Sequence, residues 1–323
     1  MFKAIVNLTL IMTAGFLPGC QKPGAESSMI ALRKVVLSSG HATAVSADST
    51  SDSFVACVGK SLVEIDLVSG KEVGHISYPG TCEAVLARQG RLTVLANGEA
   101  LYYSAGQGEF PGALQKRLRL RNGLSFVSRD GRYVIDPYVP HVESVLQESA
   151  ARVIDLADGS VVGSIPLALS RAMYRGATDG QGTAIATRDG EIYWWSPMDT
   201  KKEPTRLASV GIVKGVWIMA AGSKLAVASG DFLSFLATDS GKLTGLAKGV
   251  VAGTVCVDKA GKSIAAVRRT GASSWTVNIW DVSGNLLAGT AEFNGSLPTA
   301  IWFESLEHGL FVAQSEGVVR YIR

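Results

Sequence analysis

The sequence predicts an all-β fold, a seven-bladed β-propeller, and three observations support this prediction. Glycines that mark short turns recur with a period near 40 residues. The segments between turns are short apolar or alternating runs rich in Val, Ile, Tyr and Trp, as in β-strands. The last unit lacks one strand, which the N-terminal part of the chain can supply. A period near 40 with four short strands per unit is typical of a propeller blade.

The period is carried by the glycines of the middle turns. These glycines are separated by 39, 92, 40 and 41 residues, and the interval of 92 covers two units, one of them enlarged: Gly59, Gly98, Gly190, Gly230 and Gly271. Each unit also closes with a strand that ends in Asp-x-x-x-Gly or a relative of it, in segments 65–71, 154–159, 235–242 and 280–284.

Seven such units can be counted along the chain. Their inner strands are predicted near residues 42–46, 83–87, 124–128, 171–177, 215–220, 254–258 and 299–304. The last unit has only three strands, and its missing outer strand is available at 30–37. Pairing of the N- and C-terminal strands is therefore expected to close the ring and to satisfy two sheet edges at once. The 304 residues from Cys20 onward correspond to about 43 residues per blade for seven blades.

These repeats resemble the WD40 and quinoprotein-like propeller superfamily. The pair Trp280-Asp281 and the strands that end at Gly70 and Gly159 carry the resemblance, which extends over nearly all of the chain after the first 28 residues. The resemblance implies the fold and leaves the function open, because this architecture hosts many unrelated activities. A quinoprotein dehydrogenase is disfavoured, since such enzymes use adjacent cysteines and a much longer ring.

The first twenty residues predict an export signal. Lys3 provides a basic start, and the apolar stretch at 4–17 has 14 residues, fewer than the roughly 20 that a spanning helix needs. The signal ends in Leu17-Pro18-Gly19-Cys20, which resembles the lipobox of bacterial lipoproteins, with Pro18 as a departure from the usual Ala, Ser or Thr. The resemblance implies cleavage before Cys20 and acylation of its thiol. An ordinary cleaved signal with an incidental cysteine is the alternative.

The expected organisation is a signal peptide at 1–19, a flexible tether at 20–28 and the propeller at 29–323. Acylated Cys20 would hold the protein on a membrane. Gln21 follows the cysteine, in place of the Asp that tends to retain lipoproteins of enterobacteria in the inner membrane. The expected location is therefore the cell envelope, at the periplasmic face of the outer membrane.

Composition limits the classes of partner. Hydrophobic residues make up 47% of the chain and charged residues only 18%, which excludes a disordered chain. The formal net charge of +3 is too balanced for binding driven by nucleic-acid phosphates. We therefore expect no nucleic-acid partner and a monomeric propeller.

Three further cysteines leave two possibilities open. Cys57, Cys82 and Cys256 could form one disulfide and leave one thiol in an oxidising compartment. Each lies in an apolar run, however, so buried thiols are equally compatible with the sequence. There is no Cys-x-x-Cys, and the chain has only four histidines, so no metal site and no cofactor is predicted. No catalytic residue is predicted either, because no serine or cysteine arrangement marks nucleophilic catalysis.

The third unit carries a long insertion between its second and third strands, at 136–149. Such a loop should project from the same face as the connections between blades, and long loops are commonly functional. Tyr138, His141 and Leu146 are the candidate partner-binding residues. The alternative is a lid folded back over the ring.

A basic segment alternates with leucine at 116–121. This spacing places Arg117, Arg119 and Arg121 on one side of a strand and Leu118 and Leu120 on the other. The pattern suits an outer edge strand that charge protects from aggregation. The functional alternative is contact with anionic lipid headgroups, lipopolysaccharide or an acidic partner.

These features favour a non-catalytic interaction platform for other envelope proteins. The alternative is an envelope hydrolase or a small-ligand sensor that uses the mouth of the propeller channel. A platform should expose an apolar patch near the insertion, whereas an enzyme should bring acidic and histidine side chains together at the channel.

Overall fold

The fold is known from a computed structural model. The structure describes residues 27–35, 42–48, 52–88, 90–104, 110–120, 126–128, 131–136, 151–165, 173–179, 182–195, 203–305, 309–315 and 317–322. Within these ranges the fold is all-β, with five four-stranded antiparallel sheets, one nine-stranded sheet and a short 3-10 helix at Ala220–Gly222. None of these residues belongs to a helix with the length and apolar character needed to cross a membrane.

The first described strand, β1 (Ser27–Val35), belongs to the nine-stranded sheet. The five four-stranded sheets follow, each pairing its strands in chain order. The first sheet contains β2 (Ala42–Ala47), β3 (Ser53–Val58), β4 (Ser61–Asp66) and β5 (Glu72–Ser77). The second contains β6 (Cys82–Arg88), β7 (Arg91–Ala96), β8 (Glu99–Ser104) and β9 (Ala113–Arg119). The third contains β10 (Phe126–Val127), β11 (Tyr133–Asp136), β12 (Arg152–Asp155) and β13 (Val161–Ser164). The fourth contains β14 (Met173–Thr178), β15 (Thr183–Thr187), β16 (Glu191–Trp195) and β17 (Thr205–Ser209). The fifth contains β18 (Val213–Met219), β19 (Lys224–Ser229), β20 (Phe232–Ala237) and β21 (Leu243–Lys248).

The nine-stranded sheet joins both ends of the described chain. Its later strands are β22 (Val250–Val257), β23 (Ser263–Arg269), β24 (Ser274–Asp281), β25 (Leu286–Thr290), β26 (Phe293–Asn294), β27 (Ala300–Ser305), β28 (Gly309–Gln314) and β29 (Gly317–Ile322). Their order is β22-β23-β24-β25-β1-β29-β28-β27, and β26 pairs with β24. β1 pairs antiparallel with β29, with Ile30 opposite Ile322 and Val35 opposite Val318. It also pairs parallel with β25 over its first three residues.

The glycines and aspartates that recur in the sequence lie at turns between strands. The glycines between second and third strands take left-handed backbone conformations, for example φ +59° at Gly59 and +60° at Gly230, which other residues rarely adopt. After the third strands, an aspartate side chain accepts a backbone N–H two residues on. Asp155 Oδ1 accepts from Ala157 at 2.9 Å and Asp281 Oδ1 from Ser283 at 2.8 Å. This local bond stabilises the turn that the Asp-x-x-x-Gly pattern predicts.

The hydrophobic core lies between successive sheets, because both faces of each sheet are apolar. Clusters of buried side chains join each four-stranded sheet to the next, the fifth sheet to β22–β24, and β27–β29 to the first sheet. Trp302 of β27 is 6% exposed, and its indole N–H donates to the Ala47 carbonyl of β2 at 3.1 Å. The last strands of the chain therefore pack against its first four-stranded sheet.

Hydrogen bonds distinguish two edges of the sheets. The segment leading to the next sheet bonds to the turn between second and third strands, as in Tyr78 N to Lys60 O at 2.8 Å and Gly230 N to Ile212 O at 3.3 Å. We call this the connection edge. At the opposite edge, the far edge, the third-to-fourth turn bonds to the first-to-second turn, as in Leu67 N to Asp52 O at 2.7 Å.

Candidate functional site

A cavity of about 470 Å³ is lined mainly by the first strands of the sheets. We call it the first-strand cavity. The second to fifth sheets contribute to its wall, together with β22 and Trp302 of β27. Much of the wall is apolar, including Val85, Phe126, Val216 and Val255. A volume of this size is typical of sites for small organic molecules.

Two cationic residues on neighbouring first strands line this cavity, Arg175 of β14 and Lys214 of β18. Arg175 Nε donates to the Lys214 carbonyl oxygen at 3.0 Å, and Nη1 donates to the Tyr174 carbonyl oxygen at 2.8 Å. Its guanidinium carbon also lies 4.0 Å from the centroid of the Tyr174 ring. The backbone and the ring therefore hold this guanidinium in one orientation.

β-Bulges create the two carbonyl acceptors. The pairing of β14 with β15 shifts register between Met173 and Arg175, and that of β18 with β19 shifts between Val213 and Gly215. Tyr174 and Lys214 are the extra residues at these shifts, and a bulge leaves its extra residue outside the ladder and re-aims side chains. Glu83 occupies the corresponding position of β6, where partial burial raises the pKa of its carboxyl.

Trp217 forms part of the wall on the same strand as Lys214. Its indole lies directly over Gly215, because a Cβ built at that glycine would be 2.2 Å from Cη2 of the tryptophan. A residue with a side chain at this position would displace the ring. The glycine therefore allows a half-buried aromatic side chain to lie along the cavity wall.

An acidic side chain lines the cavity further along β14. Asp179 follows the strand, and its Oδ1 accepts a hydrogen bond from the Gly182 N–H at 2.7 Å. The four-residue separation from Arg175 corresponds to roughly 13 Å along an extended strand. Neither Arg175 nor Lys214 forms an ion pair with a carboxylate of the described residues. The part of the cavity wall formed by β14 and β18 therefore carries two cationic residues, and the carboxylate of Asp179 lies at a different part of the wall.

The cysteines adopt the arrangement of one disulfide and one thiol. Cys57 of β3 and Cys82 of β6 are bonded, with 2.05 Å between the sulfurs and 5.3 Å between the Cα atoms. Both are buried, and the bond joins the first sheet to the second. Cys256 forms no disulfide and lines the first-strand cavity half-exposed.

The basic strand lies where the sequence predicts it. β9 is the outermost strand of the second sheet, with Arg117 and Arg119 exposed, Leu118 half-buried and Leu120 buried. Arg117 Nε is 3.7 Å from Glu99 Oε2 on the neighbouring strand. The prediction of an edge strand with one charged side is confirmed for these residues, while Arg121 lies outside the described residues.

Several predicted site residues are not part of the described chain. Cys20, Tyr138, His141 and Leu146 all lie outside it. The insertion connects β11 to β12, whose facing ends lie at the connection edge. Among the residues that the structure describes, no group of three or more His, Cys, Asp or Glu side chains could hold a metal ion.

An exposed apolar pair lies at the connection edge of the fifth sheet. Ile212 is 60% exposed and Phe232 is 50% exposed. The Gly230 N–H donates to the Ile212 carbonyl oxygen at 3.3 Å, which links Ile212 to the turn just before β20, and Lys248 Nζ lies 5.6 Å from the centroid of the Phe232 ring. The connection edge of this sheet therefore exposes two large apolar side chains, and a lysine lies beside one of them.

Sequence reasoning missed the cavity residues. Arg175, Lys214 and Trp217 belong to no motif, and the only signal available was their position within or next to a predicted inner strand. No protein-family model matches the chain, and no curated protein matches its sequence. The candidate site is therefore defined by its own side chains, which are two cations, an indole and an apolar wall.

Proposed function

We propose that the chain is a seven-bladed β-propeller of the WD40 and quinoprotein-like type, closed by pairing of β1 with β29. Its blades would be the five four-stranded sheets, β22–β25, and β27–β29 with β1. Two observations support this proposal. Buried clusters join each of these groups to the next, including β27–β29 to the first sheet. The first strands of several groups also line one cavity, as they would around a propeller axis.

We further propose that the protein is exported and held at the periplasmic face of the outer membrane by acylated Cys20. The buried bond between Cys57 and Cys82 supports export, because disulfides persist in oxidising compartments and are rare in the bacterial cytosol. Replacing Cys20 by Ala should release the protein into the soluble periplasmic fraction. Cys256→Ala serves as the control, since that thiol lies in the folded part. Retention of Cys20→Ala on the membrane would contradict the proposal.

The function that the geometry supports best is a non-catalytic platform for other envelope proteins. The observation that carries it is the exposure of Ile212 and Phe232 at the connection edge, since large exposed apolar side chains offer contacts to a partner protein. The sequence predicts such a surface near the insertion of the third sheet, whereas these two residues belong to the fifth. The insertion with Tyr138, His141 and Leu146 connects strands at the same edge. The protein would act as a monomer, and the basic side of β9, with Arg117, Arg119 and Arg121, would contact an anionic surface.

Crosslinking in cells followed by affinity purification tests this function. The intact protein should yield stoichiometric envelope partners, which Ile212→Asp with Phe232→Asp should remove. Val73→Asp is the matched control, because Val73 is also 60% exposed but lies near the far edge at the start of β5. A further variant shortens 137–149 to a Gly-containing turn. If no partner is captured with the intact protein, or if all variants retain it, the platform function is wrong.

A further inference from the structure

We propose that the first-strand cavity binds a small organic monocarboxylate, with Arg175 and Lys214 holding the carboxylate and Trp217 contacting its apolar part. Such binding is separate from the docking of envelope proteins at the connection edge. It rests on the volume of the cavity, on the two cations in its wall and on its apolar lining.

Arg175 is prepared to bind an anion. A guanidinium has five N–H donors, and two of the Arg175 donors are used in its hydrogen bonds to the Tyr174 and Lys214 carbonyl oxygens. These two bonds and the stacking on the Tyr174 ring fix the plane of the group. A planar guanidinium with fixed orientation suits a carboxylate, which it can hold by two parallel hydrogen bonds.

The two cationic residues lie on the first strands of neighbouring sheets, and neither forms an ion pair with a carboxylate of the described residues. Lys214 brings a second positive charge to the strand whose carbonyl oxygen already accepts from Arg175. Two like charges in the wall of one cavity repel each other, and an anion bound in that cavity offsets the repulsion. The same field raises the local concentration of anions in the cavity.

The rest of the cavity selects the kind of anion. Trp217 and the surrounding valines offer apolar contact to a hydrocarbon or aromatic body, which a free phosphate ion lacks. Asp179 lies roughly 13 Å from Arg175 along β14 and would repel a second carboxylate at the other end of a ligand. One negative charge joined to an apolar body therefore fits this wall better than a dianion does.

Binding can be tested with three carboxylate probes: phenylacetate, benzoate and octanoate. Phenylacetamide is the neutral control, because it has nearly the same shape as phenylacetate without the charge. Titration calorimetry on the full-length protein measures affinity. Alkylation of Cys256 by a maleimide, followed by mass spectrometry of its peptide, reports occupancy, since this thiol lines the same cavity. A bound probe should slow the alkylation.

We expect at least one carboxylate to bind and to protect Cys256. Phenylacetamide and the Arg175→Gln variant should each weaken affinity about ten-fold or more, as expected for loss of a charged hydrogen bond. Lys214→Gln should weaken the affinity several-fold. This variant should fold normally, because the side chain of Lys214 is exposed. Arg268→Gln is the matched control, because Arg268 Nε also donates to a lysine carbonyl oxygen, that of Lys248 at 3.0 Å, away from the cavity.

Four results would overturn the proposal. One is that none of the three carboxylates binds the wild-type protein. Another is that phenylacetamide binds as tightly as phenylacetate. This comparison uses the wild-type protein alone, so it does not depend on whether a variant folds. The third is that Lys214→Gln and Arg175→Gln, with circular dichroism unchanged, retain full affinity. Binding of inorganic phosphate without binding of any carboxylate also contradicts it.

Discussion

Removal of the Cys57–Cys82 disulfide should lower the stability of the fold by a calculable amount. The bond closes a loop with a sequence separation of 25 residues. A cross-link of this length restricts the unfolded chain and stabilises the folded state by about 3.5 kcal/mol at 25 °C in the loop-entropy model. With a urea dependence of about 3 kcal/mol per molar, the unfolding midpoint should fall by about 1 M.

Two perturbations separate the contributions. Reduction of the wild-type protein keeps both sulfurs and removes only the cross-link. The double variant Cys57→Ala with Cys82→Ala also removes buried sulfur atoms, so it should lose roughly 1 kcal/mol more from poorer packing. Urea unfolding is followed by tryptophan fluorescence and by circular dichroism, with and without dithiothreitol.

The double variant is its own control, because dithiothreitol should leave its midpoint unchanged. A wild-type midpoint that does not move on reduction would refute the reasoning. So would a double variant that unfolds at the same urea concentration as the oxidised protein. Either result would mean that the bond between the first and second sheets does not restrict the unfolded chain.

Three other predictions concern single side chains. Trp302→Phe should lower stability by about 1 kcal/mol by removing the indole hydrogen bond, and Trp302→Ala by about 3–5 kcal/mol, in urea unfolding. Burial raises the pKa of Tyr321 to about 12. The folded state thus keeps a proton that the unfolded chain loses near pH 10, so the free energy of unfolding should fall between pH 10 and 12. In Tyr321→Phe this fall should be smaller, and urea midpoints measured across this pH range test both expectations. Gly59→Ala should lower stability by about 1 kcal/mol, because alanine is strained at the positive φ of this position. Gly241→Ala should lower it by more, because the added Cβ would also lie 2.5 Å from the Leu207 carbonyl oxygen. Equal melting temperatures for the two variants would contradict this.

The turns could be predicted from sequence because their physics is local. Asp155 bonds to the N–H of Ala157 two residues away, and Gly159 supplies φ +80° within the same turn. Five residues therefore contain the information for the whole feature. The predicted inner strands overlap β2, β6, β10, β14, β18, β22 and β27 for the same reason, since apolar runs between such turns have few alternatives.

The cavity and the disulfide could not be predicted because they depend on register between distant strands. A bulge changes which side of a strand the following residues face, so alternation does not assign Arg175 or Trp217 to the cavity side. The pairing of Cys57 with Cys82 has the same origin. It requires the contact between β3 and β6 and the register shift after Cys82, and neither can be deduced from an apolar run.

The direction of β1 determines how an anchored molecule would be oriented. β1 runs parallel to β25 from Ser27, which lies opposite Ala288, so it enters its sheet from the far edge. Seven residues from Cys20 to Glu26 precede it, and they span at most about 25 Å when fully extended. A lipid on Cys20 would therefore turn the far edge towards the bilayer. Ile212 and Phe232 would then point into the aqueous space, within reach of proteins that never touch the membrane.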